Sequence, residues 1–219
     1  MNLDRCREIV ISCIFHLVKN SLFLFPVTIS PGLEKTVDGI SNQELVLESL
    51  ATGFPALTSA FGNSLAEACA VCLDKHGHQN GVEMKVDGDF DEFFKLQLPA
   101  VTSQMLRCWN DTEVTTEHGA YGIACLLIRR LTPFTVIERS RKGTGFDYWL
   151  GHENDLPFQN KARLEVSGIG KGSKRDISKR VRIKLKQTTP SDGALPAYVV
   201  VVEFSSPTSQ MVKKVTTST

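Results

Sequence analysis

Two carboxylates interrupt short strand-forming runs in the second half of this chain, and few folds tolerate that. Asp147 lies in Phe146–Leu150 and Glu165 in Ala162–Val166; with Thr135–Arg139 these are three runs rich in β-branched and aromatic residues. Gly143, Gly145 and Gly151 separate them as turn formers, which predicts a meander of three strands. Side chains alternate across a strand, so Asp147 and Trp149 share one face while Phe146, Tyr148 and Leu150 take the other. In the third run Arg163, Glu165 and Ser167 share a face, opposite Leu164 and Val166. Central strand positions reject lone carboxylates, because an unpaired buried charge is costly. Something must offset that cost, and a metal ion is the leading candidate.

At 219 residues, with 42% apolar and 22% charged residues, the chain has material for one soluble domain with an N-terminal appendage. Its net charge of +1 conceals an asymmetry. Residues 32–98 carry eleven acids against four lysines, whereas residues 161–189 carry ten Lys or Arg against Glu165 and Asp176. A segment that basic fits a phosphate-contacting surface, the alternative being a solvated helix face. Six cysteines without a regular framework point to a reducing, cytoplasmic setting. Cys69-x-x-Cys72 followed by His76 and His78 has zinc-ligand chemistry. Yet Ser64–His76 also forms an amphipathic helix with Leu65, Cys69, Cys72 and Leu73 on one stripe, and that core role is the expectation. Residues 9–29 are the most apolar stretch, but His16, Lys19 and Asn20 break it, so no membrane span is predicted.

Taken in order, residues 1–32 form an apolar N-terminal extension and 33–111 a helix and strand part packed on the core. Within that part, Asn42–Ala51 is helical by composition. Asn63 or Ser64 caps the helix over 65–76, Gly81–Val86 alternates as a strand, and a short helix lies around Thr102–Trp109. A long helix starts near Thr115 or Thr116 and ends about Leu131, before Pro133, with Ala120, Ala124, Leu127 and Leu131 as its buried stripe. Glu117 stands one turn before Ala120 on that stripe, either facing the packed surface or complementing the helix dipole. After the meander, residues 175–187 place Ile177, Val181 and Leu185 at four-residue steps, which predicts a basic amphipathic helix, with a strand over Val181–Lys186 as the alternative. Ala197–Phe204 is a continuous apolar run, as in a strand buried on both faces. The core spans 112–207, and 208–219 is expected to fray.

From residue 112 onward the predicted order is helix, strand, strand, strand, helix, strand, with Glu117, Asp147 and Glu165 converging on it. This resembles the PD-(D/E)xK nuclease superfamily. The resemblance implies an α/β fold, a mixed sheet with a restriction-endonuclease-like core, extended here by N-terminal helices and strands. It also implies Mg²⁺ or Mn²⁺ held by Asp147, Glu165 and Glu117. Asp147 matches the second-strand acid and Glu165 the first acid of Glu165-Val166-Ser167, but Ser167 stands where the family has lysine. Lys142, Lys171, Lys184 and Lys186 are candidates to supply that amine, with Lys184 in the expected catalytic set. Lys142, Lys171, Lys174, Arg175, Lys179, Arg180 and Lys184 form the expected nucleic-acid-binding set.

The expected function is metal-dependent hydrolysis of nucleic-acid phosphodiesters. The alternative is an inactive nuclease-like module that binds nucleic acid or a protein partner, with a homodimer among the possible assemblies. Several neighbours have simpler readings. His118 fits packing, Tyr148 and Trp149 fit sheet packing as well as base stacking, and Arg163 could pair with Glu165. Gln187 fits a polar position at the end of the basic helix.

Overall fold

A computed structural model describes residues 43–189 and 195–215. In chain order these form β1 (Glu44–Val46), a short 3₁₀ turn (Leu47–Ala51), α1 (Ser59–Lys75), β2 (Glu83–Gly88), β3 (Glu92–Gln97), α2 (Ser103–Cys108), α3 (Thr112–Leu131), β4 (Thr135–Arg139), β5 (Tyr148–Gly151), β6 (Ala162–Ile169), α4 (Lys174–Gln187), β7 (Ala197–Glu203) and β8 (Thr208–Lys214). The fold is mixed α/β. The eight strands make one mixed sheet in the order β1-β3-β2-β8-β7-β6-β5-β4. The β4–β5–β6 meander is antiparallel, and β6 pairs in parallel with β7. A parallel pair needs a crossover, and α4 supplies it.

Helices α1 and α3 cover one face of the sheet and α4 the other. The alternation of β7 shows the division. Tyr198, Val200 and Val202 enter the large core shared with the α1 and α3 side chains, whereas Val199 and Val201 meet Ile177 and Val181 of α4. This is why residues 197–202 include no charged side chain and the whole strand, Glu203 included, is buried. The four-residue spacing of Ile177, Val181 and Leu185 is a helical stripe, not a strand, and Ser173 closes the helix start with a capping box to Asp176. Cys69 and Cys72 are buried in the core on α1, the packing role expected of them.

Several boundaries differ from expectation. The expected helix over Asn42–Ala51 is a strand and a 3₁₀ turn from Glu44 onward, since Glu44–Val46 finds a parallel partner in β3. Helix α1 begins at Ser59, several residues before Asn63, because the Thr58 hydroxyl accepts Phe61 N–H and caps it earlier. Asp111 rather than Thr115 or Thr116 caps α3, accepting N–H groups from Glu113 and Val114. The tail expected to fray forms β8 through Lys214, paired with β7 and with β2. Strand β8 thereby joins the N-terminal strands to the meander in a single sheet. The apolar stretch 9–29 lies outside the described residues. No helix among the described residues is long and apolar enough to cross a membrane.

One contact sets the approach of α3 to the sheet. A Cβ on Gly168 of β6 would fall 2.4 Å from the Thr116 carbonyl oxygen, so only glycine lets the strand and the start of α3 come so close. Gly168→Ala should therefore destabilise the protein by about 1–3 kcal/mol, the usual range for overpacking. Denaturant unfolding checks this; a change below about 0.5 kcal/mol would show that the contact is not a constraint.

Candidate active site

Register brings the acids together. Glu165 is level with Val199 and Ser167 with Val201, so both project on the sheet face that α4 covers. Lys184 and Arg180 lie along α4 beside its apolar stripe and reach exactly these positions in turn: Lys184 Nζ is 2.5 Å from Glu165 Oε1, and Arg180 donates to Ser167 Oγ at 2.9 Å.

 Asp147 precedes β5 and is tied to β6 at both ends, its N–H donating to Leu164 O and its Oδ2 accepting Val166 N–H, each at 2.8 Å. From the other side of the sheet, Tyr121 of α3 sets its hydroxyl 3.0 Å from both Asp147 Oδ1 and Glu117 Oε1. One hydroxyl proton facing two carboxylates serves one acceptor at a time unless an acid is protonated. Burial first, then the charges of Asp147 and Glu117, push the Tyr121 phenol pKa upward.

Asp147, Glu165, Glu117 and Tyr121 line one cleft of about 680 Å³ together with Ser167, Arg180, Lys184 and Gln187. Within it Glu165 is 1% exposed, and its Oε2 has no hydrogen-bond partner. Two ionised carboxylates repel and cannot hydrogen-bond, so Asp147 stabilises Glu165 only when one of the pair carries a proton. Burial, then the Asp147 charge, push the Glu165 pKa up to about 7, against the opposing pull of Lys184. Among the described residues, no three His, Cys, Asp or Glu side chains form a ready-made metal cage. Glu117 reaches Asp147 through Tyr121.

The structure divides the expected nucleic-acid-binding residues. Arg180 and Lys184 line the cleft, while Arg175 and Lys179 line a separate groove on the outer side of α4. Lys142 lies in the β4–β5 loop beside Asp147 and Glu165, and Lys174 lines a small cavity near Asp87, away from the acids. Lys171 is exposed after β6 and lines none of these cavities. Lys184 therefore stands out among the lysines proposed to substitute at Ser167.

The neighbouring residues take simpler roles. Arg163 donates to Thr188 O and Leu195 O, tying the end of α4 to the start of β7, while Glu165 pairs with Lys184. Tyr148 is fully buried and Trp149 packs edge-on against Phe146, which removes Tyr148 as a base-stacking surface. His118 lies against Trp109 and Phe61, with Nδ1 2.9 Å from Val114 O. Sequence reasoning missed Tyr121, although its position four residues after Glu117 places it on the same helix face one turn on. Comparison with known proteins finds no match: no family model, curated protein or solved structure is significantly similar to this chain.

The raised Glu165 pKa has a signed consequence. The folded protein holds this proton more tightly than the unfolded chain, whose carboxyl titrates near 4.5. The resulting stability is fully present below that pH and is lost as pH rises through about 7. Glu165→Gln cannot ionise and lacks this slope. Wild-type stability should therefore fall relative to the variant by about 1–3 kcal/mol across that window. Parallel unfolding curves at several pH values check it, and equal slopes would contradict the assignment.

Proposed function

We propose that this chain is a metal-dependent phosphodiesterase of the PD-(D/E)xK type that acts on nucleic acid. The observation that carries the reading is the meeting of Asp147, Glu165 and Lys184 in one cleft, with the amine 2.5 Å from Glu165. The chain order from α3 to β7, helix-strand-strand-strand-helix-strand, supports it as well. Lys184, carried on α4, takes the place of the lysine that Ser167 lacks.

The site suits a hard cation. Glu165 Oε2 is buried without a partner, and a second carboxylate stands beside it, so positive charge would satisfy the orphan oxygen and relieve the repulsion. Asp147 and Glu165, with Glu117 from α3, would hold Mg²⁺ or Mn²⁺, whose chemistry there is to acidify water and neutralise charge on the scissile phosphate. The remaining roles fall to the chain's own groups. Lys184 orients the attacking water and offsets negative charge as the phosphate becomes pentacovalent. Arg180, at the mouth of the cleft, offers a planar donor to the non-bridging phosphate oxygens. Val166 N–H and Tyr121 hold the Asp147 carboxylate in place.

A second reading has one observation in its favour: Ser167 occupies the position where the family carries lysine. On that reading the cleft binds nucleic acid or a protein partner without cutting.

Cleavage assays separate the two. With Mg²⁺ or Mn²⁺ the protein should cut at least one member of a panel of single-stranded, duplex and branched nucleic acids. Asp147→Asn and Glu165→Gln should each abolish cutting, and Lys184→Ala should lower kcat about a hundredfold or more, in the range for loss of a positioned proton-transfer or charge-stabilising group. Lys171→Ala and Lys186→Ala should stay near wild type. Cutting that survives loss of either acid would end the nuclease reading, whereas metal-dependent binding without any cutting would favour the module.

A further inference from the structure

A second cavity adjoins the cleft. It measures about 290 Å³ and shares Asp147, Glu165 and Gln187 with the larger cleft, so the two meet at the same acids. Its other wall is the β4–β5 loop, which brings Arg139, Arg141 and Lys142 to the rim. The Arg139 guanidinium lies 5.6–5.9 Å from the ring centres of Tyr121, Tyr148 and Phe61, which fixes it against the protein. Arg141 and Lys142 are exposed, and neither has an ion-pair partner among the described residues.

The loop holds its shape. Ser140 and Thr144 hydroxyls are 2.9 Å apart, and Thr144 Oγ1 donates to Arg141 O at 2.9 Å. Gly145, at φ +81°, lies so close to the end of α4 that a Cβ there would stand 2.4 Å from Gln187 O. The cationic rim is thus latched to the helix that carries Lys184.

We infer that this cavity is a subsite for a second phosphate of the bound strand, next to the one that is cut. Arg141 and Lys142, without an ion-pair partner among the described residues, line a cavity that two acids also line, and a phosphate offers several acceptor oxygens to both cations. The cavity has room for the backbone of one strand, and the inference is that this strand is single where it passes the acids, with the scissile group in the larger cleft. The inference rests on the nuclease reading and deepens it. The second phosphate is either an internal diester or a terminal monoester of the strand; the chemistry of recognition is the same.

The test measures binding of short single-stranded oligonucleotides in Ca²⁺, to suppress cutting. One set carries a single methylphosphonate at successive positions, and another carries or lacks a terminal phosphate. The full-length protein is compared with the doubly substituted Arg141→Gln, Lys142→Gln protein, whose changes fall on an exposed loop. In the wild type, neutralising one phosphate, internal or terminal, should weaken binding about tenfold more than neutralising its neighbours. In the double variant that extra penalty should disappear while the others remain. An internal position marks a diester and an end-dependent penalty marks a monoester, and either supports the subsite. An identical pattern in both proteins would overturn the subsite and leave the nuclease reading intact. A wild type that binds no single strand would overturn the subsite, and one that binds no member of the single-stranded, duplex and branched panel would overturn the nuclease reading with it.

Discussion

The buried charge of Glu165 is the constraint on which the rest of the site depends. A carboxyl group 1% exposed in the middle of a sheet is tolerated when it keeps its proton, accepts enough hydrogen bonds or has compensating charge beside it. The crossover helix α4 provides that partner through its own docking. Ile177, Val181 and Leu185 seat it on Val199 and Val201, and the residues alongside that stripe, Arg180 and Lys184, then fall over Ser167 and Glu165. Apolar packing fixes the helix, and the helix fixes the amine.

The opposite face works by close approach. Gly168 admits the first turns of α3 to β6, which brings Glu117 and Tyr121 to the end of β5, where Asp147 stands. Tyr121 then couples the helix acid to the strand acid across a single hydroxyl. Elements on both faces of the sheet thus converge on one pair of carboxylates, and Glu165 Oε2 is left there without a hydrogen-bond partner among the described residues.

Much of this was legible in the sequence because periodicity and turn residues are local. The three meander strands, the α4 stripe and the fully buried β7 all follow from spacing, as does the convergence of Asp147 and Glu165 on one side of the meander. What was not legible depended on pairing at a distance. Strand β8 looks polar and frayed because, although β7 directly precedes it as a hairpin partner, its other partner, β2, lies far away in the chain. Glu44–Val46 likewise becomes a strand only because β3 lies beside it. Among four candidate lysines, only packing of α4 distinguishes Lys184, and the Tyr121 bridge needs α3 to be set against the sheet. The latched loop carrying Arg141 and Lys142 depends on the close contact of Gly145 with Gln187, which no local pattern signals.

The central claim is that Asp147 and Glu165 are paired for a divalent cation rather than for each other. Titration of the purified protein with Mn²⁺, followed by the loss of free-ion electron paramagnetic resonance signal, tests this without reliance on any substrate. The account predicts saturable binding that Asp147→Asn and Glu165→Gln each abolish while both variants remain folded. Binding that is absent from the wild type, or unchanged in both variants, would contradict it.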